Sequence, residues 1–365
     1  MGIRFTRTSR ATNGPLIFFS DPSADVSLCE EIRGAIDAQL SFYAYRRPGD
    51  IMVSFGSSEG YVKGIGTPGF AIAPFDPTQD PITIPYKPRA DMIKAAATSA
   101  VIPSKSTTLE EYTAEIEEIQ QQLRENGGGK IVAARVIAAN GTVDVAATFA
   151  ALCRQYPSAF VFAFSTPLTG CWIGASPELL LSSFSGKLQT MALAGSRPTG
   201  TPGGWDDKNR EEQAMVVDYI CDCMTRNGLP PSRKETVTAK AGGVEHICTP
   251  IMAGVPADFN PTRLTALLKD LSPTPALCGL PKELALEVIK STESFPRGCY
   301  GGWCGPYLSP FDFHFQVILR CAQVGAERYA LYAGGGITLK SNPGAEWAET
   351  ELKAQTLLST IIFDN

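Results

Sequence analysis

The chain has 365 residues, 44% of them hydrophobic and 19% charged, and a formal net charge of −5. This is the composition of an ordinary soluble protein with enough apolar matter for a sizeable core, in one large domain or two or three small ones. The acidic balance, with no basic run interleaved with aromatics, argues against a nucleic-acid partner, so an anionic ligand would have to be drawn by a few placed cations or a metal.

After the basic start MGIRFTRTSR, the apolar piece PLIFF is too short for a signal sequence. No apolar stretch reaches the roughly 18 residues of a membrane helix, and a cytoplasmic location is expected. The ten cysteines contain no CxxC pair, and several sit in apolar runs. Free buried thiols in a reducing compartment fit this pattern better than a disulfide framework. With only two histidines, His246 and His314, a zinc site of His and Cys is disfavoured.

Residues 1–95 read as an irregular run of short strands and turns, with the proline-rich piece 76–88 as a loop or extended edge. A helix follows: Thr108 and Glu111 form a capping box, Leu109, Tyr112, Ile116, Ile119 and Leu123 make an apolar stripe, and Asn126 with Gly127–Gly129 stops it. Strands are predicted at 130–139, 158–165, 171–176, 178–184, 188–195, 315–322 and 328–336. Helices are predicted at 206–227, 262–270, 282–291 and 345–362. Hairpin-spaced strands with helices grouped between them indicate an α+β fold with large antiparallel sheets. No polar linker divides 100–365, so the chain is read as a single domain over 1–365 with its functional core at 100–365.

Two glycine-rich pieces fail as nucleotide loops. GGGK at Gly127–Lys130 lacks the GxxxxGK[ST] spacing, and Gly334–Gly336 makes no GxGxxG. There is no GxSxG elbow. More informative is NPGAEWAETELK, where Glu346, Glu349 and Lys353 fall at i, i+3 and i+7 on one helix face beside the small-residue run AGGGI. A solvated face with a Glu349–Lys353 pair accounts for the spacing; so does a metal-assisted site for an anion.

Six segments in order decide between these readings: KIVAAR (130–135), GASPELLL (174–181), ALAGSRPTG (192–200), SPTPALCGLPK (272–282), RGCYGG (297–302), and RCA through AGGGI to EWAETELK (320–353). Together they resemble the chorismate-utilising family, which includes isochorismate, anthranilate, aminodeoxychorismate and salicylate synthases. The resemblance covers roughly residues 125–358. It implies two large antiparallel sheets packed as a sandwich with helices around a central cavity, chorismate as substrate, and Mg²⁺ as cofactor.

Residue by residue, the resemblance implies Lys130 as general base and Glu178 as general acid. Glu212 and Glu349 are implied as magnesium ligands, with Glu346 and Glu211 as neighbours that share the task. Arg320 and Lys353 are implied as carboxylate anchors, Ala194, Gly195, Ser196 and Gly334 as backbone or hydroxyl contacts, and Tyr300 and Leu277 as walls of the ring pocket. A lysine acts as base only when its amine is neutral, and a glutamate as acid only when it keeps its proton.

Three positions select the chemistry. Lys130 supplies a base for water, Ala194 stands where the aminodeoxychorismate branch carries a lysine, and Ala276 stands where pyruvate-releasing members carry threonine. An isochorismate synthase feeding menaquinone, siderophore or salicylate synthesis is therefore expected, acting as a monomer. The alternatives are a pyruvate-releasing lyase of the same family and a catalytically silent chorismate-binding protein. Ser272 and Gln213 depart from the pattern by replacing family histidines, the Glu178–Glu212 spacing is shorter than usual, and His246 matches a family histidine.

Overall fold

Alternating side chains build the central strands. In FVFAFST, Phe160, Phe162 and Phe164 take one face while Val161 and Ala163 take the other, and all five are buried. Both faces of this strand are covered, so its sequence reads as a nearly continuous apolar run. The computed structural model describes residues 16–18, 22–94, 100–241 and 244–364.

Among the described residues the strands form two sheets. The nine-stranded sheet runs, in spatial order, β1 (Leu16–Phe18), β3 (Met52–Ser58), β2 (Ser41–Arg46), β8 (Phe160–Thr166), β9 (Gly170–Ser176), β18 (Cys321–Val324), β19 (Arg328–Ile337), β7 (Lys130–Asn140) and β15 (Gly279–Leu280). The ten-stranded sheet runs β12 (Ser232–Arg233), β14 (Val244–Gly254), β11 (Lys187–Pro198), β10 (Leu179–Phe184), β17 (Asp312–Val317), β16 (Trp303–Ser309), β5 (Gly69–Ala73), β6 (Ile82–Pro85) and β4 (Val62–Lys63), with β13 (Val237–Ala241) also on β14. All strand pairings are antiparallel.

The main core joins Phe162, Trp172 and Tyr332 of the first sheet to Leu181, Trp303 and Phe315 of the second. It extends to Val217 and Met224 of α4 (Asp207–Arg226) and Leu264 and Leu267 of α5 (Pro261–Leu271). On the other face of the first sheet, Leu28 and Ile32 of α1 (Pro22–Asp37) and Phe149 of α3 (Val145–Gln155) cover Phe42, Val161 and Ile173. A third cluster packs α2 (Leu109–Glu125) and α6 (Lys282–Thr292) against Ile131 and Ala133 of β7. The last helix, α7 (Pro343–Leu358), lies on β19.

The antiparallel α+β architecture agrees with the sequence reading, and α2 carries both reciprocal bonds of the Thr108–Glu111 capping box. Three expectations are corrected. The first 95 residues include the 16-residue helix α1, whose buried stripe of Leu28, Ile32 and Ala35 has too few large apolar side chains to stand out beside Gly34. Within the proline-rich piece, β6 is an internal strand flanked by β5 and β4. The predicted strand 315–322 is two strands in different sheets: the chain leaves β17, turns through Arg320 in the left-handed region (φ 49°), and enters β18. Helix α3 and strands β14 and β16 were not anticipated.

One buried cation ties three of these parts together. Arg297 pairs with Glu293 at the end of α6 and donates to the carbonyls of Leu277 (2.6 Å) and Val132 (2.8 Å). Removing one partner of such a pair leaves a charge buried alone. Arg297→Met is expected to lower the unfolding free energy by roughly 3–5 kcal/mol, read from denaturant melts; an unchanged midpoint would show that the pair does not brace the fold.

Candidate active site

Lys130 opens β7 directly after Gly127, Gly128 and Gly129, all at positive φ. The register sets Gly336 of β19 opposite Val132, two residues along from Lys130 and on the same face of β7. A Cβ at Gly336 would lie 2.3 Å from Lys130 Cε, one at Gly335 would lie 3.0 Å from Glu346 Oε2, and one at Gly334 would lie 2.8 Å from the Tyr300 hydroxyl. Each glycine of AGGGI thus makes room for a different polar side chain of the chain itself, a more specific role than an open floor for a ligand.

These side chains converge on a cavity of about 220 Å³ where β7 and β19 of one sheet meet β11 and β14 of the other. Lys130 is only 4% exposed and pairs with Glu212 of α4. Glu178, also 4% exposed, sits just before β10 and accepts a hydrogen bond from the Thr274 hydroxyl at 3.1 Å. Burial pushes its carboxyl up to about 7, against the opposing pull of Thr274, Lys130 and Lys353. It is therefore a carboxylic acid able to keep a proton near neutrality.

The anchors are placed by different devices. Arg320 reaches the cavity from the left-handed turn between sheets, 8% exposed, and donates to the Thr356 hydroxyl at 3.2 Å. Lys353 of α7 bonds the Gly334 carbonyl and Glu349, both at 2.7 Å. The helix-face pair and the site therefore coexist. Glu346 is buried one turn earlier on α7, and both glutamates line the cavity. Leu277, Ala276 and Tyr300 form an apolar wall, with Tyr300 stacked on Tyr332 at 5.5 Å. Ala194 and Gly195 line the cavity where β11 slips register against β14. The side chain of Ser196 lies outside the described residues.

Of the other residues singled out, Glu211 is exposed and absent from the cavity wall. Ser272 also lies away from that wall: it ends α5, its N–H donating to Leu268 and its carbonyl accepting from Lys282 at 2.8 Å. Gln213 is buried, its amide donating to the Ala192 carbonyl (3.1 Å) and the Thr249 hydroxyl (2.8 Å), which fastens α4 beneath Glu212. His246 does reach the cavity. Its Nδ1 donates to the Gly195 carbonyl at 2.8 Å, and burial, reinforced by Arg320, lowers its pKa to about 4, so the ring is neutral. Sequence reasoning missed Asn209 and Asp206, which line the same cavity. Asn209 stands three residues before Glu212 on α4, a helical offset that would have found it.

Among the described residues no helix is long and apolar enough to cross a membrane. The model for chorismate binding enzymes matches residues 83–362. The chain is 28% identical over 314 residues to the vibriobactin-specific isochorismate synthase of Vibrio cholerae serotype O1, covering 80% of this chain and 78% of that one. It is 32% identical over 263 residues to isochorismate synthase MenF of Escherichia coli K12, covering 67% of this chain and 59% of MenF. The match thus spans about three-fifths of the length of that relative. The solved structure of Escherichia coli MenF, at 22% identity, superposes with a TM-score of 0.72 over 88% of both chains, a likeness of fold. With a family model matching well over half its length, the chain belongs to the chorismate-binding enzyme family.

Proposed function

We propose that the chain is an isochorismate synthase: it adds water at C2 of chorismate and expels the C4 hydroxyl. The observation that carries this reading is a buried lysine and a buried glutamic acid on the wall of one cavity, Lys130 from the first sheet and Glu178 from the second. Lys130 takes the proton from the attacking water, and Glu178 gives its proton to the departing hydroxyl. Arg320 and Lys353 hold the two substrate carboxylates, Arg320 by its planar fork and Lys353 as a point charge. The neutral His246 ring orients a hydroxyl without adding charge. Gly334 and the Ala194–Ser196 backbone complete the cradle, and Leu277 and Tyr300 flank the ring.

Carboxylates are the donor type that Mg²⁺ takes and they stand on the cavity wall, although among the described residues no three acidic, His or Cys side chains are gathered closely enough to hold a metal by themselves. Glu212, Glu346 and Glu349 bring carboxylates to a wall shared with the cations Lys130, Arg320 and Lys353. A dianionic substrate placed among them leaves an excess of negative charge, which a hard divalent cation offsets through a few carboxylates, waters and substrate oxygens. Glu212 and Glu349, with Glu346 beside them, would hold that ion, which supplies charge compensation for the bound ring carboxylate. Ala194 and Ala276 carry neither an amine nor a hydroxyl into the cavity, which supports release of isochorismate over an aminated or pyruvate-releasing outcome. Ten cysteines, none of them disulfide-bonded, support a cytoplasmic setting.

Proton NMR of chorismate with the protein and Mg²⁺ is expected to show isochorismate; stoichiometric pyruvate would reject the reading in favour of a lyase. Lys130→Ala and Glu178→Ala should each reduce turnover by about 10²- to 10⁴-fold, and wild-type rates would remove their roles. Because Glu178 works protonated, turnover should fall as pH rises through about 7, the value to which burial raises this carboxyl. A profile flat across that range would contradict the acid assignment. Glu349→Ala should move the Mg²⁺ titration to higher concentration and weaken chorismate binding together; an unchanged titration would count against the metal site.

A further inference from the structure

The Glu178 carboxyl accepts from the hydroxyl of Thr274, on the same loop that carries Ala276 and Leu277 to the cavity wall. Thr274 Oγ1 donates to Glu178 Oε1 at 3.1 Å across 96 residues of sequence, with both side chains buried. Thr274 is not on the cavity wall; it stands behind Glu178. Its loop is held at several points. The Thr274 carbonyl accepts from the N–H groups of Leu277 (2.9 Å) and Cys278 (2.8 Å). Lys282 Nζ donates to the carbonyls of Lys269, Asp270 and Ser272 at 3.0, 2.9 and 2.8 Å, which uses all three of its donors. Arg297 holds the Leu277 carbonyl. The half-buried Lys282 and the buried Arg297 therefore fix the backbone on either side of this hydroxyl, so the threonine cannot turn away with its loop.

A carboxylic acid has one carbonyl-like oxygen and one that bears the proton. A hydroxyl that donates to Oε1 occupies the accepting oxygen and leaves Oε2 to bear the proton. Resting on the reading of Glu178 as the acid, we propose that Thr274 is a positioning residue which locks the Glu178 carboxyl in one orientation, so that Oε2 presents the transferable proton to the substrate hydroxyl. The same donor also favours the ionised form of Glu178, as do Lys130 from β7 and Lys353 from α7, while burial opposes it. The Cys248 thiol of β14 is the other titratable group facing it. Thr274 thus restrains the upward pull of burial and keeps the acid strong enough to release its proton.

The test compares Thr274→Val, which keeps the shape and removes the hydroxyl, with Thr274→Ser, which keeps the hydroxyl, in the full chain with chorismate and Mg²⁺. Thr274→Val should lower kcat about tenfold while KM stays within about twofold. Its falling pH limb should move to higher pH, because the carboxylate has lost a donor. Thr274→Ser should restore both rate and profile. Wild-type kcat and profile in Thr274→Val overturns the proposal, as does a loss in Thr274→Ser equal to that in Thr274→Val, which would mark a packing role only. A wild-type protein that makes no isochorismate overturns the assigned reaction itself, a result distinct from an active wild type with an indifferent valine variant.

Discussion

The contact between Lys130 and Glu212 is where the two halves of the molecule meet. Lys130 belongs to β7 of the nine-stranded sheet, and Glu212 belongs to α4, which packs on the other sheet. Lys130 is buried and Glu212 largely so, and the pairing keeps either charge from standing alone. The proposed magnesium role of Glu212 and the proposed base role of Lys130 therefore meet in one contact. The Glu178 proton is kept by burial, and its partner Thr274 is neutral.

The surrounding architecture serves this contact. Gly336 leaves the space that Lys130 fills, and a side chain there would overlap it. Gln213, immediately after Glu212, bonds to β11 and β14 and so sets the pitch of α4. Across the cavity, Arg297 and Lys282 fix the loop that carries Leu277, Ala276 and Thr274. These braces differ in chemistry. The glutamine uses a neutral amide, Lys282 bonds backbone carbonyls, and Arg297 bonds two carbonyls together with the Glu293 carboxylate.

Much of this was legible in the sequence, for identifiable reasons. The Thr108–Glu111 cap and the spacing of Glu346, Glu349 and Lys353 are local patterns, and local patterns survive folding. Lys130, Glu178, Arg320 and Glu212 could be placed because short motifs recur in a fixed order. What stayed hidden depends on contacts distant in the chain. Thr274 is an unremarked threonine until Glu178 appears beside it. The turn at Arg320 looks like mid-strand because the apolar run FQVIL continues up to it, and only the change of sheet reveals the break. Helix α1 was obscured because only two large apolar side chains, Leu28 and Ile32, stand in its buried stripe beside the small Ala35. The alarm raised by Ser272 in place of histidine also dissolves with the fold, since that position ends α5 outside the cavity wall.

The most direct test of the central claim is the fate of oxygen. In the proposed reaction Lys130 activates a solvent water while Glu178 releases the C4 hydroxyl as water. Chorismate converted in ¹⁸O-enriched water should yield isochorismate carrying the label in its C2 hydroxyl, read by mass spectrometry of the initial product. Unlabelled isochorismate would mean that the original hydroxyl had migrated without solvent, and the paired base and acid would then have no place in the reaction.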